Sequence, residues 1–173
     1  MSIAKLEQYG LLQVSGEDAR AFLHAQLTND IENLAPGRAR YAGWCSAKGR
    51  LLATFLVVPG AAGFLLQLSR DLTQAVAKRL SMFVLRSKVK ITDVSVQRQQ
   101  FGLWGTGAPS ELEGLGFKPL AEDLAVTETQ DAIAVRIEPR RFLVLTSKEI
   151  EQEAKAAASA ESWTLAEIRS GRP

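Results

Sequence analysis

Hydrophobic positions along the chain change period several times, and each change marks an element. Residues 9–14 alternate loosely and stop at Ser15-Gly16, after which Ala19, Phe22, Leu23 and Leu27 recur at helical spacing. A strand is therefore predicted to feed a helix, with Ser15 and Asp18 placed as a capping box. The helix is expected to run out near Asn29-Asp30. Pro36-Gly37 turns the chain into a strand over 38–46, and Lys48-Gly49 sits between two strand-like runs as a hairpin turn would require. Leu51 to Val58 is an apolar run closed by Pro59-Gly60, far short of the roughly 20 residues a membrane helix needs, and reads as a buried strand. Residues 64–69 form another strand. Leu72, Ala75, Val76, Leu80 and Phe83 then mark a second amphipathic helix with Ser69 as N-cap, followed by a strand over 89–96.

The second half repeats this plan. Residues 142–147 and a helix over 148–158 match residues 64–69 and the helix after them, at an offset of 78. Leu103-Trp-Gly-Thr-Gly107 running into a short helix over 109–115 resembles Leu12-Gln-Val-Ser-Gly16 running into the first helix, at a different offset of 91. Strand, serine and helix is a common succession, so chance competes with repetition. The pattern predicts an α+β fold of two similar strand-and-helix lobes, about 1–94 and 95–173. Residues 161–171 read as a last helix closed by Gly171, with Pro173 just beyond.

Composition narrows the function. With 173 residues at 46% hydrophobic, the chain supports one compact domain or two small lobes, and a formal charge of only +2 gives no reason to expect direct nucleic-acid binding. Cys45 is the sole cysteine, which excludes an internal disulfide or a cysteine-rich metal cluster, and the first residues carry no apolar leader; a cytoplasmic home away from membranes is expected. His24 lies off the apolar stripe with no second histidine in the chain, and receives no role. Gly102, Gly105 and Gly107 lack the order and lysine of a phosphate loop, and Cys45 between Trp44 and Ser46 reads as a small structural thiol.

Taken singly, Asp30 is a helix-end residue, Lys48 a solvated turn residue, and Arg50 and Arg141 strand-flanking charges. Together they would supply a carboxylate and cations to one hollow, with Tyr9, Trp44, Trp104 and Trp163 as flat faces, although buried tryptophans usually serve only the core.

Several segments in order, Ser15-Gly-Glu-Asp-Ala19, Gln26-Leu-Thr-Asn-Asp30, Ala47-Lys-Gly-Arg50, Phe83-Val-Leu-Arg-Ser-Lys88 and Ile168-x-x-Gly171-x-Pro173, make the chain resemble the YgfZ family. These are folate-binding relatives of the glycine-cleavage T-protein. The resemblance implies the aminomethyltransferase folate-binding fold and a tetrahydrofolate or derivative as ligand. It implies a role with iron-sulfur enzymes, in cluster synthesis or repair and tRNA modification. Aromatic positions associated with folate in that family match Tyr9, usually tryptophan there, and Trp163; Asp30, Lys48, Arg50 and Arg141 are the candidate polar contacts. No metal ligand or catalytic residue is assigned.

Two departures bear on activity. Aminomethyltransferases carry an aspartate where this chain has Ala53-Thr54, so transfer is disfavoured and an accessory folate-binding protein is expected; a folate-dependent transferase and a non-binding interaction module are the alternatives. The family's later Lys-Gly-Cys segment and barrel domain do not occur before Pro173, which leads to an expectation of exposed apolar surface and self-association.

Overall fold

The computed structural model describes residues 1–148 and 159–171. The chain divides into two compact units, residues 8–96 and residues 1–7 with 97–173. The α+β prediction is borne out. The division crosses the expected lobes in one respect, because residues 1–7 lie with the second unit rather than the first.

Strand β1 (Ser2–Lys5) belongs to the other unit, and unit 8–96 contains β2 (Tyr9–Ser15), α1 (Ala19–Gln26), β3 (Arg40–Cys45), β4 (Leu51–Gly60), β5 (Gly63–Ser69), α2 (Thr73–Ser81) and β6 (Lys90–Asp93). Its antiparallel sheet runs β3-β4-β5-β2-β6. Alternation puts Leu12 and Val14 of β2, Phe55 and Val57 of β4, and Phe64 and Leu66 of β5 on one face. Phe22 and Leu23 of α1 and Val76 and Leu80 of α2 pack against that face. Fully burying such a side chain contributes about 1.5–3 kcal/mol, so this face is the unit's main source of stability.

In the other unit β1 (Ser2–Lys5), β7 (Gln99–Trp104), β8 (Val126–Glu128), β9 (Ala132–Glu138) and β10 (Arg141–Thr146) form an antiparallel sheet ordered β1-β7-β10-β9-β8, with helices α3 (Ala108–Gly114) and α4 (Ala160–Arg169). Phe101, Leu103, Phe142 and Val144 pack with Ala108 and Leu112 of α3. Gly102 points the opposite way and lies under the Trp163 ring of α4. The predicted helix over 148–158 falls almost wholly outside the described residues, as does Pro173. No helix among the described residues is long and apolar enough to cross a membrane.

Two cap predictions are corrected. Asp18 makes no cap bond to α1; its Oδ2 accepts instead from the Lys88 backbone N–H at 2.7 Å. Ser69 precedes a 3-10 turn, Arg70–Leu72, and donates its hydroxyl to Asp71 rather than capping α2.

Candidate functional site

Helix α1 stops at Gln26, three residues earlier than predicted, because the next residues become an added edge to β3. Leu27 bridges Trp44, the Thr28 N–H donates to the Gly43 carbonyl at 2.9 Å, and the Gly43 N–H donates back to Thr28 Oγ1 at 2.8 Å. Asn29 Nδ2 donates to the Tyr41 carbonyl at 2.8 Å. Backbone groups on a sheet edge need partners. Thr28 and Asn29 supply them here, so the middle of this motif is a clasp.

Asp30 follows directly. Its Oδ1 accepts from the Asn33 N–H at 3.0 Å and its Oδ2 from Asn33 Nδ2 at 2.8 Å, which folds residues 30–34 into a turn. His24 Nδ1 lies 3.4 Å from Asp30 Oδ1 and accepts from the Glu32 N–H at 3.3 Å. The Asn33 side-chain and backbone hydrogen bonds, with His24 and Arg40 adding smaller effects, hold the Asp30 carboxyl below the ordinary carboxylate value. It presents an ionised, solvent-facing carboxylate.

Lys48 and Arg50 stand exposed on the tight turn between β3 and β4. The Gly49 N–H donates to the Ser46 carbonyl at 2.9 Å and the Ser46 N–H to the Arg50 carbonyl at 2.8 Å. Gly49 has φ +76, the left-handed conformation that this short loop needs at its third position. Tyr9 opens β2 and is half-buried. No contact joins Asp30 to Lys48 or Arg50 among the described residues.

Arg141 and Trp163 do come together. Arg141 is only 2% exposed and Trp163 3%. The guanidinium carbon sits 5.1 Å from the Trp163 ring centre, and Trp104 meets that ring edge-on at 5.7 Å. Glu138 lies 2.9 Å from Arg141 Nε, Glu167 lies 3.2 Å from Nη2, and Nη2 donates to Ser170 Oγ at 3.0 Å. A buried cation is tolerable only when opposed like this. The side chain ties α4 to the start of β10, and its Nη1 is buried without a hydrogen-bond partner.

Sequence reading did not anticipate a hollow of about 240 Å³ beside α3, lined by Pro109, Leu112, Pro119, Leu120, Arg136 and Phe142 among others. The clustering of prolines over 109–139 was the available signal. No group of three or more potential metal ligands occurs among the described residues.

Comparison with known proteins places these features. The GCVT N-terminal domain family matches residues 1–126. A protein of Cryptococcus neoformans named iron-sulfur cluster assembly factor IBA57 homolog, mitochondrial, is 36% identical over 116 residues, which cover 64% of this chain and 30% of that protein. The tRNA-modifying protein YgfZ of Vibrio vulnificus is 27% identical over 156 residues, covering 90% of this chain and 47% of that protein. The chain thus spans less than half the length of these relatives. Among solved structures, glycine cleavage system aminomethyltransferase T from Bartonella henselae superposes with a TM-score of 0.74 at 20% identity, over 84% of this chain and 41% of that chain. At that identity the likeness is one of fold. With residues 1–126 of 173 matched and proteins named YgfZ and IBA57 among its relatives, as the motifs predicted, the chain belongs to the GCVT N-terminal domain family.

Proposed function

We propose that this chain is a folate-binding accessory protein that acts with a tetrahydrofolate in the synthesis or repair of iron-sulfur clusters, including clusters of tRNA-modifying enzymes. The observation that carries the reading is family membership joined to relatives whose names specify iron-sulfur cluster assembly and tRNA modification. A cytoplasmic home belongs to the same proposal, although the IBA57 relative is named as mitochondrial.

The residues present fit such a ligand unevenly. Asp30, Lys48 and Arg50 face solvent, and Tyr9 is half-buried. In the proposal Asp30 accepts hydrogen bonds from the pterin N–H groups, Lys48 and Arg50 meet the carboxylates of the glutamate tail, and Tyr9 flanks a ring. Trp163 and Arg141 are enclosed by their own neighbours. Their part is to hold α4 in place beside the sheet. At the position where a transferase would carry a carboxylate, Ala53 is buried opposite Trp44 and Thr54 pairs with Gly43, so no side chain there handles a proton.

Titration with tetrahydrofolate, followed by tryptophan fluorescence, tests the reading. The folded chain is expected to bind saturably, and Asp30→Asn, which keeps an acceptor for the Asn33 N–H, to weaken binding about tenfold through loss of a charge-assisted bond. A folded chain with no saturable response overturns the folate assignment. Sustained glycine-dependent formation of methylenetetrahydrofolate overturns the accessory role.

A further inference from the structure

Residues 72–92 contain no aspartate or glutamate but carry Lys78, Arg79, Arg86, Lys88 and Lys90, all exposed. Between these cations the chain makes successive turns over 82–88, and there it presents Met82 at 70% exposure, Phe83 at 47% and Leu85 at 88%. Three large apolar side chains this exposed within four residues form a patch rather than isolated surface residues.

The segment is held rather than loose. Val84 packs against the core, Phe83 meets Trp44 edge-to-face at 6.3 Å, and Arg79 lies 5.9 Å from the same indole. At the far end Lys88 is tied by its N–H to Asp18 and by Nζ to Glu17, each at 2.7 Å. Between these anchors the Ser87 N–H closes a turn on the Val84 carbonyl at 2.8 Å, and Leu85 takes φ +46. That conformation disfavours a branched, bulky residue and returns no packing to Leu85, whose side chain faces solvent. Leu85 thus carries backbone strain that no packing among the described residues offsets.

We propose that the 82–88 turn, with Lys78, Arg79 and Lys90 around it, is a docking surface for an acidic polypeptide segment carrying an apolar side chain. Charge complementarity selects the occupant. Lys88 is already paired with Glu17, while no carboxylate pairs with Lys78, Arg86 or Lys90 among the described residues. A phosphodiester backbone would use the cations but leave Met82 and Leu85 in water. Rigid apolar anchors within a polar, charged rim are the arrangement protein interfaces use. The inference is independent of folate binding.

The test is fluorescence anisotropy of the chain with a labelled peptide of about twelve alternating glutamate and leucine residues, against the same peptide with serine for leucine. The leucine peptide is expected to bind about tenfold tighter than the serine one. Leu85→Gly suits the backbone at φ +46, so the protein should keep or raise its melting temperature while losing about fivefold or more in affinity. Arg86→Glu should do likewise, whereas Arg70→Glu, an equal charge change elsewhere in the unit, should stay within about twofold. Equal binding of both peptides, or equal losses in Arg86→Glu and Arg70→Glu, overturns the proposal. So does binding only to phosphatidylserine vesicles, or a self-dimer abolished by Leu85→Gly without peptide binding, which would assign the patch to a membrane or a second copy.

Discussion

The two units are built alike and closed differently. Strand order β3-β4-β5-β2-β6 in one corresponds place by place to β8-β9-β10-β7-β1 in the other. The register agrees as well: Val14 faces Phe64 and Leu12 faces Leu66, as Leu103 faces Phe142 and Phe101 faces Val144. Each first strand enters a glycine at φ +115 (Gly16) or +103 (Gly105), and the N–H of Ala19 or Ala108 then donates back to that glycine at 3.1 Å. The edge place is filled by β6, which follows α2, in one unit and by β1, from the start of the chain, in the other. Charge separates them further. Residues 8–96 carry eleven Lys and Arg against six Asp and Glu, a formal +5, while the remaining residues carry ten against thirteen, a formal −3. One scaffold has thus been kept twice, with its glycine turn joined in unit 8–96 to Lys88 through Asp18 and Glu17, and in the other in van der Waals contact with Met1.

The sharpest way to break the likeness is at the two glycines. A Cβ on Gly16 would strike the Lys88 carbonyl well inside van der Waals contact, and the rigid partner there is backbone. Gly16→Ala is expected to destabilise by about 3 kcal/mol or more, combining left-handed strain with displacement of the 87–89 strand entry. At Gly105 the nearest atom is Met1 Cα at 3.4 Å, ordinary contact, so Gly105→Ala should cost only the strain, about 1–2 kcal/mol. Urea unfolding measures both. Equal losses would mean that the joint with Lys88 contributes nothing.

A second contrast lies one face over. Where β2 carries Gln13, the corresponding place in β7 is Gly102, which leaves room for the indole of Trp163. Gly102→Ala forces that ring away from the sheet and from Arg141, at about 1–3 kcal/mol for overpacking. Gln13, whose side chain reaches only the Ala62 carbonyl at 3.4 Å, should tolerate alanine within about 0.5 kcal/mol. Near-ultraviolet circular dichroism should change for the first variant and not for the second.

This contrast also shows what the sequence could reveal. The offset of 78 between residues 64–69 and 142–147 looked compatible with chance, and the first strand and helix matched at another offset. The structure corrects the first-strand match by two residues, since Leu12 corresponds to Phe101 and Gly16 to Gly105 (offset 89) rather than to Leu103 and Gly107 (offset 91), and with the later strand at 78 (64 to 142) the intervening stretch is eleven residues shorter in the second unit. Loose alternation in β2 and apolar runs in β4 and β5, each seven residues or longer, made these strands legible. Sequence reading missed β1 and β8, whose four and three residues are too short to establish a period, and it also missed β9, although its seven residues bury Ile133, Val135 and Ile137 in alternation. Helix ends were misread for another reason. Asp18 has the right spacing for a cap, yet its partner, Lys88, lies 70 residues away, and Thr28 leaves helical geometry to satisfy Gly43. Site residues were least legible. Asp30 and Arg141 are identical in kind to any exposed charge until Asn33 and Trp163 are seen against them.

Asp18→Ala is expected to cost about 1–2 kcal/mol, since it leaves the Lys88 N–H without its charged acceptor. Glu17→Ala removes only an exposed ion pair and should cost less than about 0.5 kcal/mol. Gly107 holds the corresponding place before α3 and has no side chain to lose, so unit 8–96 alone should show this sensitivity. Urea midpoints that move equally for Asp18→Ala and Glu17→Ala would assign the joint to charge rather than to the hydrogen bond.

The smallest effect comes from the turn after each first helix, where both units must satisfy carbonyl groups and use arginine to do it. Arg20 of α1 donates to the Ile31 and Leu34 carbonyls, each at 2.9 Å, while Arg136 of β9 donates to the Leu120 carbonyl at 2.9 Å. Each turn also has a carboxylate, but in a different role: Asp123 pairs with Arg136 Nε at 3.3 Å, whereas Asp30 accepts from Asn33 within its own turn. Because hydrogen bonds to Asn33 lower its folded pKa, Asp30 favours the folded state at any pH above its ordinary value of 3.8, and that contribution disappears as pH falls through the lowered folded value. Asn33→Ala should therefore move the Asp30 titration, followed by carboxyl NMR, upward toward 3.8, and should shift acid unfolding slightly to higher pH. Asp30→Asn should remove this pH dependence while leaving neutral-pH stability nearly intact, since the amide oxygen still accepts from the Asn33 N–H. An Asp30 titration unmoved by Asn33→Ala would transfer the shift to His24 and Arg40, and the turn would then owe its shape to arginine in both units alike.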